Sequence, residues 1–356
     1  MYPVTRPVLP DLSRYVRHLE KAHERAWLTN FGPLHEELTD RLKAHLGVEN
    51  LLLVSNGTLA LQVAYRALGL RSTAATTPFS FVATTSSLAW EGIDRRFVDI
   101  DRSSLNIDAA RLSDADAISG VVAVHVYGNP CDVEAIDAFA SARRIPVIYD
   151  AAHAFASRLD GRSILGWGDA STLSFHATKL FHTIEGGAIV FRESSHLEAA
   201  RALVNFGQRD GEIVYAAGTN AKLSEYHAAV GLVLMDRIAE IINRRQELVA
   251  AYRAHLDNWV EFQHWHARST EAGAYMPILL QNEAQCLALQ RKLSDQGIQT
   301  RRYFHPSLNR IEPGPAADEC PVSESIADRI LCLPLYYDLA ISDVDAISER
   351  VKAALS

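Results

Sequence analysis

The sequence predicts an α/β protein in two parts: a large domain over residues 1–235 with a mainly parallel central sheet, and a smaller α+β domain over 236–356. Three observations predict it. Short apolar runs alternate with helical segments through the first part of the chain, the pattern of strands joined by crossover helices. The texture changes from about residue 236, where a long charged helical stretch, MDRIAEIINRRQELVAAYRAHL, leads into sparser strands. The length, 356 residues, is long for one core and suits a large domain with a smaller companion.

The elements follow in order. Residues 33–46 (PLHEELTDRLKAHL) have helical spacing. LLLVS is a strand ending at Ser55. SNGTLALQVAYRALGL then starts a helix that Ser55 or Asn56 can cap, with Leu59, Val63 and Leu68 near one face. AATTPFSF, RRFVDI, ISGVVAVHVYG, IPVIYD, ASTLSF and GGAIVF read as strands, with DVEAIDAFASARR a helix between two of them. In the smaller domain VEFQHW, AYMPILLQ and IQTRRYF read as strands. No repeat or low-complexity linker divides the chain, so a continuous helix is expected at the boundary.

Composition excludes several classes. With 43 acidic and 35 basic side chains the net charge is −8, and no basic cluster points to nucleic acid. The start, MYPVTRPVLPDLSRYV, lacks the apolar run of a secretory signal, and no stretch reaches the roughly 20 apolar residues of a membrane span. Cys131, Cys286, Cys320 and Cys332 are scattered and form no CxxC, so a reducing cytoplasm is the expected location. His264 and His266 flank Trp265 in a predicted strand and would share a face. The histidines otherwise show no metal spacing, and no metal is expected. No GxGxxG follows a strand, which argues against a Rossmann dehydrogenase.

Three features fall at the carboxyl ends of predicted strands, where open α/β sheets bind ligands. Ser55-Asn56-Gly57-Thr58 is a strand-to-helix turn whose free N–H groups, with the Thr58 hydroxyl, can cradle a phosphate; alone it also reads as an ordinary helix cap. Asp150 ends IPVIYD. It reads either as a cap for AAHAFAS or as a carboxylate for a protonated ring nitrogen, with the small Ala151 and Ala152 leaving room for a flat ring. Lys179 lies in SFHATKLFHTIEGGAIV. It is a solvated loop lysine or a buried amine of lowered pKa able to form a Schiff base, with Gly186 and Gly187 letting the backbone pass near a bulky ligand. A phosphate cradle, a carboxylate and a reactive lysine in this order are what pyridoxal phosphate needs.

The chain is identified as a member of the DegT/DnrJ/EryC1/StrS nucleotide-sugar aminotransferases, of pyridoxal-phosphate fold type I, by WLTNFGPLHEEL, LLLVSNGTLAL, TTPFSFVATTSSLAWEGIDRRFVDID, HVYGNPCDVEAI, YDAAHAFAS, SFHATKLFHTIEGGAIV, GTNAKLSEYHAAVGL and LPLYYDL, in family order from about Trp27 to the C-terminus. The resemblance implies that Lys179 joins the cofactor covalently and shuttles protons, and that Asp150 pairs with the pyridine nitrogen. It implies that Phe81 stacks on one ring face and Ala152 packs on the other. Gly57, Thr58 and Ser174 would bind the phosphate, and Asn220 would reach the cofactor of a neighbouring subunit, implying a homodimer with shared sites. Thr29 and Asn30, with His176 and Glu185, would lie near the sugar. His153 stands where many relatives have a glutamine bonded to the cofactor's ring oxygen, and Tyr149 where many have glutamate; imidazole can still donate that bond.

HATK and DAAHAF resemble the VioA-type transaminases most, which aminate C4 of a dTDP-4-keto-6-deoxyhexose. The implied reaction has two halves: L-glutamate leaves its amine on the cofactor as pyridoxamine phosphate, and a nucleotide-linked keto sugar collects it. Amination at C3 would use the same cofactor residues, and a non-catalytic regulator that binds sugar nucleotide is the alternative of another class. The sugar dehydratases of the superfamily carry histidine in place of the lysine, so Lys179 favours transamination.

Overall fold

The computed structural model describes residues 1–115, 117–311 and 319–356. Seven of the apolar runs form one sheet: β1 (Asn50–Val54), β2 (Thr73–Thr76), β3 (Asp94–Phe97), β4 (Gly120–Val124), β5 (Val147–Asp150), β6 (Ala170–Ser174) and β7 (Gly187–Phe191). Their order is β1-β7-β6-β5-β4-β2-β3. β7 runs antiparallel to both of its neighbours, and the remaining pairs are parallel. In β4, β5 and β7 every residue is buried, which is why these runs show no polar alternation.

The period of two assigns the faces. Leu51, Leu53, Val121, Ala123 and Tyr149 face one core with α2 (Pro33–Leu46) and α7 (Glu225–Met235), while α1 (Leu12–Glu24) adds Ala22. Leu52, Val54, Val122 and Ile148 face the other with α3 (Gly57–Ala67) and α6 (Ser194–Leu203). α4 (Ala83–Trp90) packs on α3, and α5 (Val133–Arg143) precedes β5.

The helix read from residue 235 onward begins at Ile238 as α8 (Ile238–Leu256); Asp236 and Arg237 turn the chain after α7, so the expected continuous helix is broken. α8 shares a third core with α9 (Glu283–Asp295), α12 (Ile341–Leu355), β8 (Pro277–Leu279) and β9 (Ile330–Cys332), which pair antiparallel. α10 (Leu308–Ile311) and α11 (Pro321–Arg329) complete this part. The chain start joins it too: Tyr2 N–H donates to the Gly297 carbonyl at 2.8 Å, and its hydroxyl donates to Asp343 at 2.9 Å.

VEFQHW and IQTRRYF are not strands. They make only isolated bridges: Glu261 with Leu279 in the first, and Ile298 with Tyr2 and Arg301 with Cys332 in the second. The reason is local for the first: Asn129 Nδ2 donates to the His264 carbonyl at 2.9 Å and Asn129 Oδ1 accepts from His266 N–H at 3.0 Å, so a side-chain amide takes the place of a ladder. His264 and His266 therefore share no strand face. No helix among the described residues is long and apolar enough to cross a membrane.

Candidate active site

β1, β5 and β6 end at one cleft of about 310 Å3, and α3 begins there. The helix starts because Asn56 turns extended and its side chain accepts from Leu59 N–H at 2.8 Å. The N–H groups of Gly57 and Thr58 come ahead of that capped position, at the positive end of the helix dipole. Gly57 is dictated by β6: a Cβ there would lie 2.9 Å from the Cβ of Ser174. This approach brings the Thr58 and Ser174 hydroxyls to the same helix start, an anion cradle. Gly57→Ala should force the two apart, weaken phosphate binding about tenfold and destabilise the fold by ~1–3 kcal/mol; a cofactor titration and a melting curve check both.

Asp150 is the last residue of β5 and 7% exposed. Its carboxylate accepts from Thr84 Oγ1 at 2.8 Å and from Ala152 N–H at 3.1 Å. Burial raises its pKa, while Thr84, the Ala152 N–H and the Lys179 charge pull the other way. The residues after it form turns, with Ala154 N–H on the Ala151 carbonyl, so Asp150 caps no helix. A buried carboxylate so placed is best satisfied by an N–H cation.

Lys179 sits in the turn between β6 and β7, its N–H on the His176 carbonyl at 2.9 Å. Its amine donates to the Tyr275 hydroxyl at 3.2 Å. Desolvation lowers its pKa to about 8, against the opposing pull of Asp150 and Tyr303. A drop in this direction from 10.5 raises the neutral fraction of the amine near pH 7. Half-buried in the cleft and bonded to Tyr275, the amine fits the Schiff-base reading better than that of a solvated loop lysine.

His153 is buried, with Nδ1 accepting from Tyr127 N–H at 3.3 Å, so Nε2 carries the ring proton and can donate. Burial, then the Lys179 charge, hold its pKa well below the ordinary histidine value, so it is neutral. Its ring stacks on Phe304 at 5.5 Å and 4°. Phe81 and Ala152 also line the cleft. His176 and Glu185 lie at the exposed rim, 3.6 Å apart, with His176 Nδ1 on the Thr178 hydroxyl at 2.8 Å.

Thr29, Asn30 and Asn220 are exposed and do not line the cleft. Asn220 pairs instead with Asn205, and the Thr29 carbonyl accepts from Trp27 Nε1 at 2.6 Å. Close packing requires Gly186 and Gly187: a Cβ on Gly187 would fall 2.7 Å from the Leu173 carbonyl oxygen and 2.8 Å from the Asn56 carbonyl carbon, and one on Gly186 would strike Thr183.

Ser80 and Thr84, and Tyr275, Arg301, Tyr303 and Phe304 from the C-terminal part, were not legible as site residues. Thr84 holds Asp150 and also bonds Ser80 at 2.7 Å. The Arg301 guanidinium stacks over Tyr303 at 4.6 Å. AYMP and IQTRRYF carry no spacing that announces these roles. Among the described residues the one group with metal-ligand proximity is Glu283, His305 and Asp328, and its two carboxylates are paired with Arg302 and Arg310.

A lysine amine and a buried carboxylate in one cleft, at the carboxyl ends of a mostly parallel sheet, suit an enzyme that works through an amine. The chain belongs to the DegT/DnrJ/EryC1/StrS aminotransferase family, whose model matches residues 13–352. It is 38% identical to the dTDP-4-amino-4,6-dideoxy-D-glucose transaminase of Shigella dysenteriae, over 98% of both chains, and 35% identical to that of Escherichia coli, over 95% of this chain and 94% of that one. Its fold matches that of DesI, solved in the presence of its TDP-sugar product, with a TM-score of 0.93 and 32% identity over 99% of this chain and 93% of that one.

Proposed function

We propose that this aminotransferase uses pyridoxal 5'-phosphate to move the amino group of L-glutamate to C4 of dTDP-4-keto-6-deoxy-D-glucose, giving 2-oxoglutarate and the 4-amino sugar. The observation that carries the cofactor is the meeting of the α3 start, Asp150 and Lys179 in one cleft. The residues fit the group: the cradle of Gly57, Thr58 and Ser174 suits a phosphate, and Asp150, buried against two neutral donors, suits a protonated pyridine nitrogen. The named activity of the Shigella and Escherichia relatives supports the sugar and the C4 position.

The cofactor supplies an electron sink for the carbanion formed when the α-proton leaves. The chain supplies the rest. With the cofactor bound, Asp150 would accept from the protonated pyridine nitrogen, His153 Nε2–H would donate to the ring oxygen, and Phe81 and Ala152 would lie against the ring. Lys179 Nζ takes and returns the proton in each half-reaction. Arg301 offers a guanidinium for the anionic parts of either reactant. Asn220 serves a second copy of the chain. The exposed Phe206, Ile213, Val214 and Tyr215 near it in sequence support a homodimer with shared sites. Residues 1–235 and 236–356 are its two units, save that the chain start packs on the second, and the cytoplasm is its location.

Incubation with both substrates should place the new amine at C4 by product NMR. An amine at C3, or sugar nucleotide bound without turnover, contradicts the reading. Capture of pyridoxal phosphate by the cofactor-free protein requires the neutral amine. Its rate should therefore rise with pH and level off above about 8, where an ordinary lysine would still be rising; stopped-flow absorbance from pH 6 to 10 checks this.

A further inference from the structure

The role of Tyr275 goes beyond lining the cleft. Its hydroxyl is 3.2 Å from the Lys179 amine. The ring that carries the hydroxyl is fixed on several sides: edge-on to His153 at 4.8 Å and 66°, edge-on to Tyr303 at 5.4 Å and 76°, and tilted on Tyr127 at 5.6 Å. Such contacts hold an aromatic ring in one place, each adding about 0.5–1.5 kcal/mol beyond burial. Lysine is the opposite case, with a flexible stem carrying roughly 2 kcal/mol of rotamer entropy. A free lysine amine next to a fixed acceptor is thus held by the tyrosine.

We infer that Tyr275 is a positioning residue that holds the Lys179 amine at the cleft floor whenever that amine is free, ready to take and return the substrate proton. This rests on the transaminase reading, in which the amine must be released during each half-reaction. Burial raises the Tyr275 pKa, so it stays an O–H and its oxygen remains an acceptor across the working range. The other groups acting on the amine are Asp150 and Tyr303, while Cys332, Arg245 and Arg301 act on Tyr275 itself. His153, neutral, separates none of them by charge.

Tyr275→Phe keeps the ring and its contacts and removes one oxygen, so the melting temperature should be unchanged. Two readouts test the role. In cofactor-free protein, acetic anhydride labelling of Lys179 followed by mass spectrometry against pH gives the amine pKa. Loss of an acceptor that stabilises the ammonium should lower it by about half to one unit. In loaded protein, the single-turnover rate with L-glutamate should fall about five- to tenfold with KM unchanged. The isotope effect with 2-deuterated glutamate should rise, since proton transfer becomes the slower step. A merely structural tyrosine would move neither the pKa nor the isotope effect. Wild-type and variant values that coincide overturn this role alone. A wild-type protein that does not transaminate overturns the function and this role with it. Should Tyr275→Phe fold poorly, Tyr275→Gln restores an acceptor, and its isotope effect should lie nearer the wild type; one equal to that of a variant without an acceptor, Tyr275→Leu, overturns the role.

Discussion

Replacing Lys179 with alanine should lower transamination by at least a hundred- to ten-thousand-fold, the contribution of one positioned acid-base group. The loss is expected to be larger still, because in the proposed function the same amine would be the covalent anchor for the cofactor. Fold and cofactor binding should survive. The side chain lies in a turn and takes part in no core cluster, and the phosphate cradle at α3 is built by other residues. Steady-state assay with glutamate and keto sugar measures the first claim, and equilibrium dialysis of pyridoxal phosphate the second. Addition of a small primary amine should restore part of the proton transfer. Detectable unaided turnover at wild-type order would remove Lys179 from the reaction.

Asp150→Asn should cost on the order of a hundred- to a thousandfold in turnover, the scale of removing one preorganised charge partner. Its effect on stability should have the opposite sign. Asp150 has a raised pKa in the folded protein, so its contribution is most favourable below the unfolded pKa and is lost as pH rises through the folded value. Near neutral pH the cofactor-free fold therefore carries an incompletely compensated buried charge. Asparagine removes that charge and keeps groups for Thr84 and the Ala152 N–H. Cofactor-free Asp150→Asn should melt higher than the wild type at pH 7 to 8, and the gap should close on acidification. A residue arranged for the fold alone would show the reverse. This trade of stability for activity is what a buried site carboxylate implies.

The parts of the molecule legible in the sequence are those whose signal is local. β4, β5 and β7 are buried on both faces, so GVVAV, VIYD and GAIVF stand out as apolar runs without any partner being known. Asn56-Gly57-Thr58 is legible because a cap and a glycine sit at a strand-to-helix junction, and Asp150 because a carboxylate at a strand end has few uses. Glycine was legible at Gly57, whereas the close packing of Gly186 and Gly187 on Thr183, Leu173 and Asn56 had no local signal.

What was not legible reaches its place by tertiary packing. Tyr275 meets Lys179 from 96 residues away in sequence. The tyrosine belongs to the segment leading into β8, and its neighbour Tyr303 arrives from another. No period or spacing ties such positions together. Thr84 looks like one of several hydroxyls in ATTSS, and only its 2.8 Å bond to Asp150 singles it out. VEFQHW has the composition of a strand, but the backbone groups of His264 and His266 are claimed by the amide of Asn129. The same packing governs His153. Its tautomer, and hence its use as a donor, follows from the Tyr127 N–H on Nδ1.

The central claim is that Lys179 and its surroundings hold pyridoxal phosphate for amine transfer from glutamate. The visible absorption spectrum of the purified protein, supplied with pyridoxal phosphate and recorded before and after L-glutamate, tests it most directly. The account predicts a band of covalently bound cofactor that fades when glutamate is added and returns when the keto sugar follows. A protein that develops no such band, or a band that glutamate leaves unchanged, would contradict it.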